Sequence, residues 1–516
     1  MFTKFLKACV ALLFALGLLA TGVLGTETRL LFFWPGAALL GLAGLVAALR
    51  WRWRVRFMPS QICLASALLF GVYFFARQLT SPVAVPARED MFILLACAVV
   101  YGLTVTVLGD HRGRALALWV LLGLTVCNLA MGFVHFSGAW TRHIVPGYMR
   151  SFGEQRIGGF FNNSNHLATF LAMMALLSAA MTLYGRGGAV RKLMLAFLSL
   201  SAAIGIALTV SRGAMVGLAA GGVVLVAVSV WLLWATQRHL VGKVLLGVGV
   251  LGLLGGLVLY GVFAEQLKSR LGGGGFAEGD PRPVIWRAAL AQHAESPWLG
   301  AGARMFYDGC ITHRTQDSPP WMKDALFMHN DWLQALTDYG WVGFALVLVL
   351  VLVHFNHARA FFVWFAQERF GHTASLTSDG LAVTIGAVAA AVAGLVHAVF
   401  EFHLHVPATA VTMAFLFGCM ANPGFTPVAQ RPVGVPGARL LMKLAVLGAS
   451  VILLYGVSIF GRADYYAERA EREEPDEDAL LTKLDFYTRS LALDPANAAV
   501  WYARGSARLE AASGKP

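Results

Sequence analysis

The chain has 516 residues, 58% of them hydrophobic and only 13% charged, with a mean hydropathy of +0.66. Soluble domains are roughly one-quarter charged, so a soluble globular fold is excluded and an integral membrane protein is indicated. The formal charge of +12 does not point to nucleic acid, because most of it is a positive-inside signature in short loops plus outer-face arginines.

In chain order, apolar runs long enough to cross a ~30 Å hydrocarbon core lie near 8–24, 31–49, 59–76, 91–108, 115–136, 166–184, 193–210, 214–235, 244–263, 341–357, 380–400, 406–421 and 440–461. They predict an all-α polytopic membrane protein of about 12–13 spans. The first run follows Lys4 and Lys7 like a signal peptide. Its cleavage site is poor, and a polytopic protein needs it as the first span. Short loops carrying Arg50, Arg52, Arg54 and Arg56, then Arg112 and Arg114, then Arg186, Arg191 and Lys192, then Arg238 and Lys243 alternate along the chain. Arg359 and Arg369, then Arg431 and Arg439, continue the register. The positive-inside rule then makes the N-terminus cytoplasmic. On the outer side fall residues 151–165, Arg212, a large loop at 264–340, the turn at 401–405 and the C-terminal tail.

Two units follow: a membrane domain at 1–461 and a charged, helical tail at 462–516. Around Tyr487, Pro495, Trp501 and Gly505 the tail resembles a tetratricopeptide repeat. One repeat cannot bury its own face, so the array is incomplete or leans on the membrane domain. Such a tail could lean on another chain, or be an ordinary amphipathic appendage. Cys310 is the lone cysteine of the loop, so the loop must fold without an internal disulfide.

The loop is the place to look for chemistry, because ionisable groups and irregular backbone are expensive in hydrocarbon. Four segments stand out. Arg156 to His166 (RIGGFFNNSNH) precedes a span, and its asparagines, Asn165 included, can cap the helix that follows. Arg156 itself suits a phosphate. Arg212, in Thr209-Val210-Ser211-Arg212-Gly213, separates two adjacent spans; it is either functional or a snorkelling headgroup contact. Gly279-Asp280-Pro281-Arg282 opens a helix to about His293 that also carries Arg287, and Ser296–Gly302 then turns. Solvated arginines on a surface helix are the plain alternative. Last, Phe327 to Gln334 reads as a short amphipathic helix on the membrane with Met328, Trp332 and Leu336 facing down and His329, Asn330 and Asp331 together. A lone histidine is often structural, but here acidic, amide and arginine neighbours favour catalysis.

Together these imply fixed positive charges suited to a diphosphate and one base that titrates near neutrality. The loop has no DxD pair or clustered carboxylates for Mg²⁺, so no metal or other cofactor is expected. The His403-x-His405 spacing is a weak metal signal; with Glu401 it could instead line an acceptor side.

The strings GGFFNNSNHLA, TVSRGA, RPVIW with PWLGAG, and HNDWLQALTDYGWVGF, in this order over roughly residues 150–420, resemble the O-antigen ligase/polymerase family. The resemblance implies a metal-independent glycosyltransferase using a glycan on undecaprenyl diphosphate at the periplasmic face. It implies Arg212 and Arg282 on the diphosphate and His329 as general base. Arg156, Asn165, Arg287, Asn330, Glu401 and His403 would contact substrate. The acceptor could be lipid A-core, a growing glycan or a protein, since ligase, polymerase and O-oligosaccharyltransferase share the donor. From other classes, a lipid-linked glycan flippase would need ionisable residues deep in several spans, and 214–235, 244–263 and 341–353 contain no Asp, Glu, Lys or Arg. The third reading is a scaffold whose tail recruits an envelope-polysaccharide partner while the membrane part is inert.

Overall fold

The computed structural model describes residues 2–49, 60–139, 141–142, 156–243, 245–247, 249, 261, 280–313, 325–369, 376–424, 436–472 and 477–513. The main helices in chain order are α1 (Phe2–Leu24), α2 (Trp34–Ala48), α3 (Gln61–Leu79), α4 (Ala84–Val105) and α5 (His111–Phe136). Then come α6 (Ser164–Tyr184), α7 (Ala189–Leu208), α8 (Arg212–Thr236), α9 (Arg282–Glu295) and α10 (Asp331–Arg369). The last are α11 (Asp379–His397), α12 (Pro407–Ala421), α13 (Pro436–Arg472), α14 (Glu477–Leu493) and α15 (Ala498–Ser513). No strand occurs among the described residues.

Nine of these helices are long and apolar enough to cross a membrane, and α2 and α12 are shorter apolar helices. The fold is an all-α polytopic membrane protein. The expected span at 244–263 lies largely outside the described residues.

Helices α6 and α11 form the centre, with 83% and 78% of their spans buried. Small residues explain this, because bilayer helices associate by close packing rather than by hydrophobic exclusion. A Cβ at Gly217 or Gly221 of α8 would stand 2.5 Å from the carbonyl oxygens of Ala393 and Ala389 of α11, so the two backbones touch. Gly213 is as tight: its Cβ would meet the His397 ring at 2.7 Å. The N-terminal end of α8, with Arg212, is thereby fixed beside the last turn of α11.

Helix α10 breaks at Gly340, which has φ 66 and ψ −172. The Ser296–Gly302 turn inserts there. Trp341 and Val342 donate N–H groups to the carbonyls of Pro297 and Trp298, and Ala301 and Gly302 donate to those of Thr337 and Asp338. Any side chain at 340 would lie 2.3 Å from the Trp298 oxygen, so only glycine fits.

The expected amphipathic helix from Met328 needs correction. The helix starts at Asp331, and Met328, fully buried, packs with Ile285, Ala288 and Phe306 under α9. His329 therefore sits in a loop. Helix α13 runs unbroken across residue 461 to Arg472. The α14–α15 pair packs on its end through Ala470, Tyr487, Leu491, Val500 and Ala507, and the Arg88–Asp494 ion pair (2.5 Å) ties it to α4.

Candidate functional site

Four helices begin close together: α6 at Ser164, α8 at Arg212, α9 at Arg282 and α10 at Asp331. Each N-terminus carries a partial positive charge and unpaired N–H groups, so this corner attracts anions before any side chain is counted. At its centre lies Glu401, in the turn between α11 and α12, with no exposed surface.

Glu401 Oε1 is 2.9 Å from His329 Nδ1, and Oε2 accepts from Asn165 Nδ2 at 2.6 Å. His166 Nε2 stands 3.8 Å from Oε1, and Arg282 Nη2 4.0 Å from Oε2. Burial alone would push the carboxyl up. The facing His329 and His166 outweigh that and hold Glu401 well below the usual carboxylate range. An ionised carboxylate only accepts, so His329 Nδ1 carries a proton, and in the neutral ring the lone pair sits on Nε2. The His329 side chain is 32% exposed, so that lone pair can be reached.

Around this pair, Arg156 donates Nη2–H to Asn165 Oδ1 (2.7 Å) and Nε–H to the Thr209 carbonyl (2.6 Å). The latter contact joins the site to the segment carrying Arg212. Arg282 also pairs with Asp280 Oδ2 at 3.2 Å. Trp286 Nε1 donates to the Met328 carbonyl, fastening α9 to the His329 loop.

Two backbone positions here are strained. His329 has φ 50 and Val210, two residues before Arg212, has φ 54. Non-glycine residues rarely adopt such angles, β-branched ones least of all, and they persist only where surrounding contacts over-determine them.

Of the residues singled out in the sequence, His329, Arg282, Arg156, Asn165 and Glu401 form one connected group. Arg212 lies at the same corner, exposed, at the start of α8. Asn330 accepts the Leu333 N–H and caps α10. Arg287 is exposed on α9, and no hydrogen bond or ion pair among the described residues links it to His329 or Glu401. His403, expected on an acceptor side, is sealed inside with no exposed surface. Burial pushes its imidazole well below the usual value, so it is neutral; Nδ1 lies 3.4 Å from Asp331 and its ring stacks on His397. Glu401 is likewise no surface group: it is the buried partner of His329. Among the described residues no group of three or more His, Cys, Asp or Glu side chains is arranged to hold a metal.

Sequence reasoning missed a buried ionic layer behind the His329 loop. Arg304 pairs with Glu89 (2.9 Å) and Asp90 (3.1 Å) at the start of α4. His405 pairs with the same Asp90 at 3.0 Å and faces Asp331 at 3.6 Å. The only signal available was an acidic pair opening an otherwise apolar helix.

Beside the corner runs an apolar groove of about 560 Å³, lined by Val216 of α8, Trp332 and Phe355 of α10, and Val392 and Val396 of α11. Phe400, against which Gly213 packs, also lines it.

The fold and site thus define a polytopic membrane protein with a carboxylate-oriented imidazole beside guanidinium groups and a lipid-compatible groove. Residues 194–348 match the family model described as O-Antigen ligase, so this stretch of the chain is similar to that family. The match spans Arg212, Arg282, Arg304 and His329, whereas Arg156, Asn165 and Glu401 lie outside it. Among curated proteins, none matches the chain.

Proposed function

We propose that this protein transfers a glycan from undecaprenyl diphosphate to an acceptor hydroxyl at the periplasmic face of the bacterial inner membrane. In this reading the lipid chain lies in the apolar groove, and Arg282 and Arg212, aided by the helix N-termini, receive the diphosphate. His329 Nε2 takes the proton of the acceptor hydroxyl. The freed oxygen attacks the anomeric carbon from the face opposite the diphosphate, and the bond to the phosphate oxygen breaks. Its electron pair leaves with the lipid diphosphate, and the anomeric centre inverts. Guanidinium groups supply the positive charge that the leaving group needs, so the step requires no metal.

The observation that carries this reading is the 2.9 Å contact between His329 Nδ1 and Glu401 Oε1, with Arg282 4.0 Å from the other carboxylate oxygen. In this reading His329 is the base and Arg282 the fixed cation beside it. The test is Arg282→Ala and His329→Ala in protein that still inserts and folds. Undiminished transfer in both variants removes the mechanism.

Lipid A-core, a growing glycan and a protein side chain all present the same hydroxyl to this chemistry. The acceptor is found by identifying what is covalently joined to the glycan in cells with and without the gene.

A further inference from the structure

Two loops must meet for the His329–Glu401 contact to form. One carries Phe327 and His329, the other Glu401 and Phe402. What holds them in register is a stack of rings rather than secondary structure. Phe327 and Phe402 lie face to face, 4.3 Å apart and 2° from parallel. Phe402 follows Glu401 directly, and Phe327 stands two residues before His329. The imidazoles of His329 and His166 both rest edge-on to Phe402, at 4.8 and 4.9 Å.

The outer face of Phe327 is covered by Arg304, whose guanidinium carbon is 4.3 Å from the ring centre. Arg304 is itself held from several directions. Its two terminal nitrogens pair with Glu89 and Asp90, and its backbone N–H donates to Asp338 Oδ2 at 3.0 Å. Its φ of 64 is a third strained non-glycine angle among the described residues. Only 7% of its side chain is exposed, so no substrate reaches it.

We propose that Arg304 is a positioning residue for the His329–Glu401 pair, acting through the Phe327–Phe402 stack. A buried, doubly paired guanidinium presents a flat, fixed cation to the ring face, which resists displacement of Phe327. The loop that Phe327 anchors then keeps His329 in its strained conformation, with Nδ1 on the carboxylate. Arg304 follows the Ser296–Gly302 turn and is ion-paired to α4 on one side, and it covers Phe327 of the His329 loop on the other. It transmits the rigidity of the first to the second.

This inference rests on the reading of His329 as the base, and the experiment separates the two. Donor KM and kcat are measured on the full chain in reconstituted membranes for Arg304→Lys, Phe327→Leu, the double variant and His329→Ala. Arg304→Lys keeps a positive charge for Glu89 and Asp90 but loses the planar fork. Phe327→Leu leaves every ion pair intact and removes the plate.

Misplacing a catalytic group by about 1 Å lowers rates on the order of 100-fold. Each single variant should therefore lose roughly 10- to 100-fold in kcat, with donor KM within about twofold of wild type. The double variant should be no slower than the slower single one, because both act on one element. Phe327→Tyr, which retains the ring, should restore most of the rate. A wild-type kcat in Phe327→Leu, a loss confined to KM, or multiplicative losses in the double variant overturns the proposal. Should Arg304→Lys fail to fold, Phe327→Leu against Phe327→Tyr decides alone. Transfer that survives His329→Ala overturns the catalytic reading, and this inference with it. A dead His329→Ala beside a fully active Phe327→Leu sinks only the positioning role.

Discussion

Replacing Glu401 by glutamine keeps the shape of the side chain and changes only its hydrogen-bond polarity. Both carboxylate oxygens now accept: Oε1 from His329 and from the Phe402 N–H (3.2 Å), Oε2 from Asn165. A glutamine offers one acceptor and one donor, so one neighbour must face a donor. Asn165 cannot turn to suit, because its Oδ1 is bound by Arg156 at 2.7 Å. The amide nitrogen is therefore driven to the Oε1 side, where the Phe402 N–H loses its acceptor and His329 Nδ1 must give up its proton and accept. The proton moves to Nε2, and the outward nitrogen is then no longer a base. General-base assistance is worth about 10²–10⁴-fold, which corresponds to roughly 3–5 kcal/mol in the barrier at about 1.4 kcal/mol per tenfold. We expect Glu401→Gln to lower kcat for glycan transfer by that factor at pH 7, with donor KM little changed. The assay is transfer from a lipid-diphosphate donor by protein in nanodiscs, alongside His329→Ala. A Glu401→Gln rate within about threefold of wild type, with His329→Ala inactive, would refute the claim that Glu401 selects the tautomer.

Two further expectations concern stability. Gly340→Ala places a Cβ 2.3 Å from the Trp298 oxygen at φ 66; a left-handed angle alone costs about 1–2 kcal/mol, and the clash adds to it. Thermal unfolding in detergent should show a clear loss, and an unchanged melting temperature would mean that the break in α10 is not fixed by glycine. His405 gives a pH dependence. Burial opposes its charge and Arg304 does too, but Asp90 and Asp331 outweigh both and raise its pKa above the usual value. A raised folded pKa stabilises fully below the unfolded value of about 6.5 and is lost as pH rises through the folded one. The advantage of wild type over His405→Gln in melting temperature should therefore shrink as pH rises above about 6.5. A gap that is flat or growing there refutes the ion-pair assignment.

The membrane class and most of the spans were legible in the sequence, which also singled out Arg156, Arg212, Arg282 and His329. Each depends on a local property: apolar length, a charge stranded between apolar runs, or a Pro or Asn before a helix. The start of α9 at Arg282 follows from such signals, and so does the pause between α7 and α8 at Arg212. Other features were beyond local reading. Glu401 looks like a surface carboxylate in its own segment, and only the packing of α11 against α6 carries it to Asn165, 236 residues away in sequence. His403 reads like a ligand until the fold seals it. His329 reads as helical until the Ser296–Gly302 turn and α9 claim the space around it. Sequence determines which groups this protein can afford to keep near the membrane, since transfer into hydrocarbon penalises each residue by itself. Which of those groups touch is set by contacts between distant segments, and these exist only once the helices have packed.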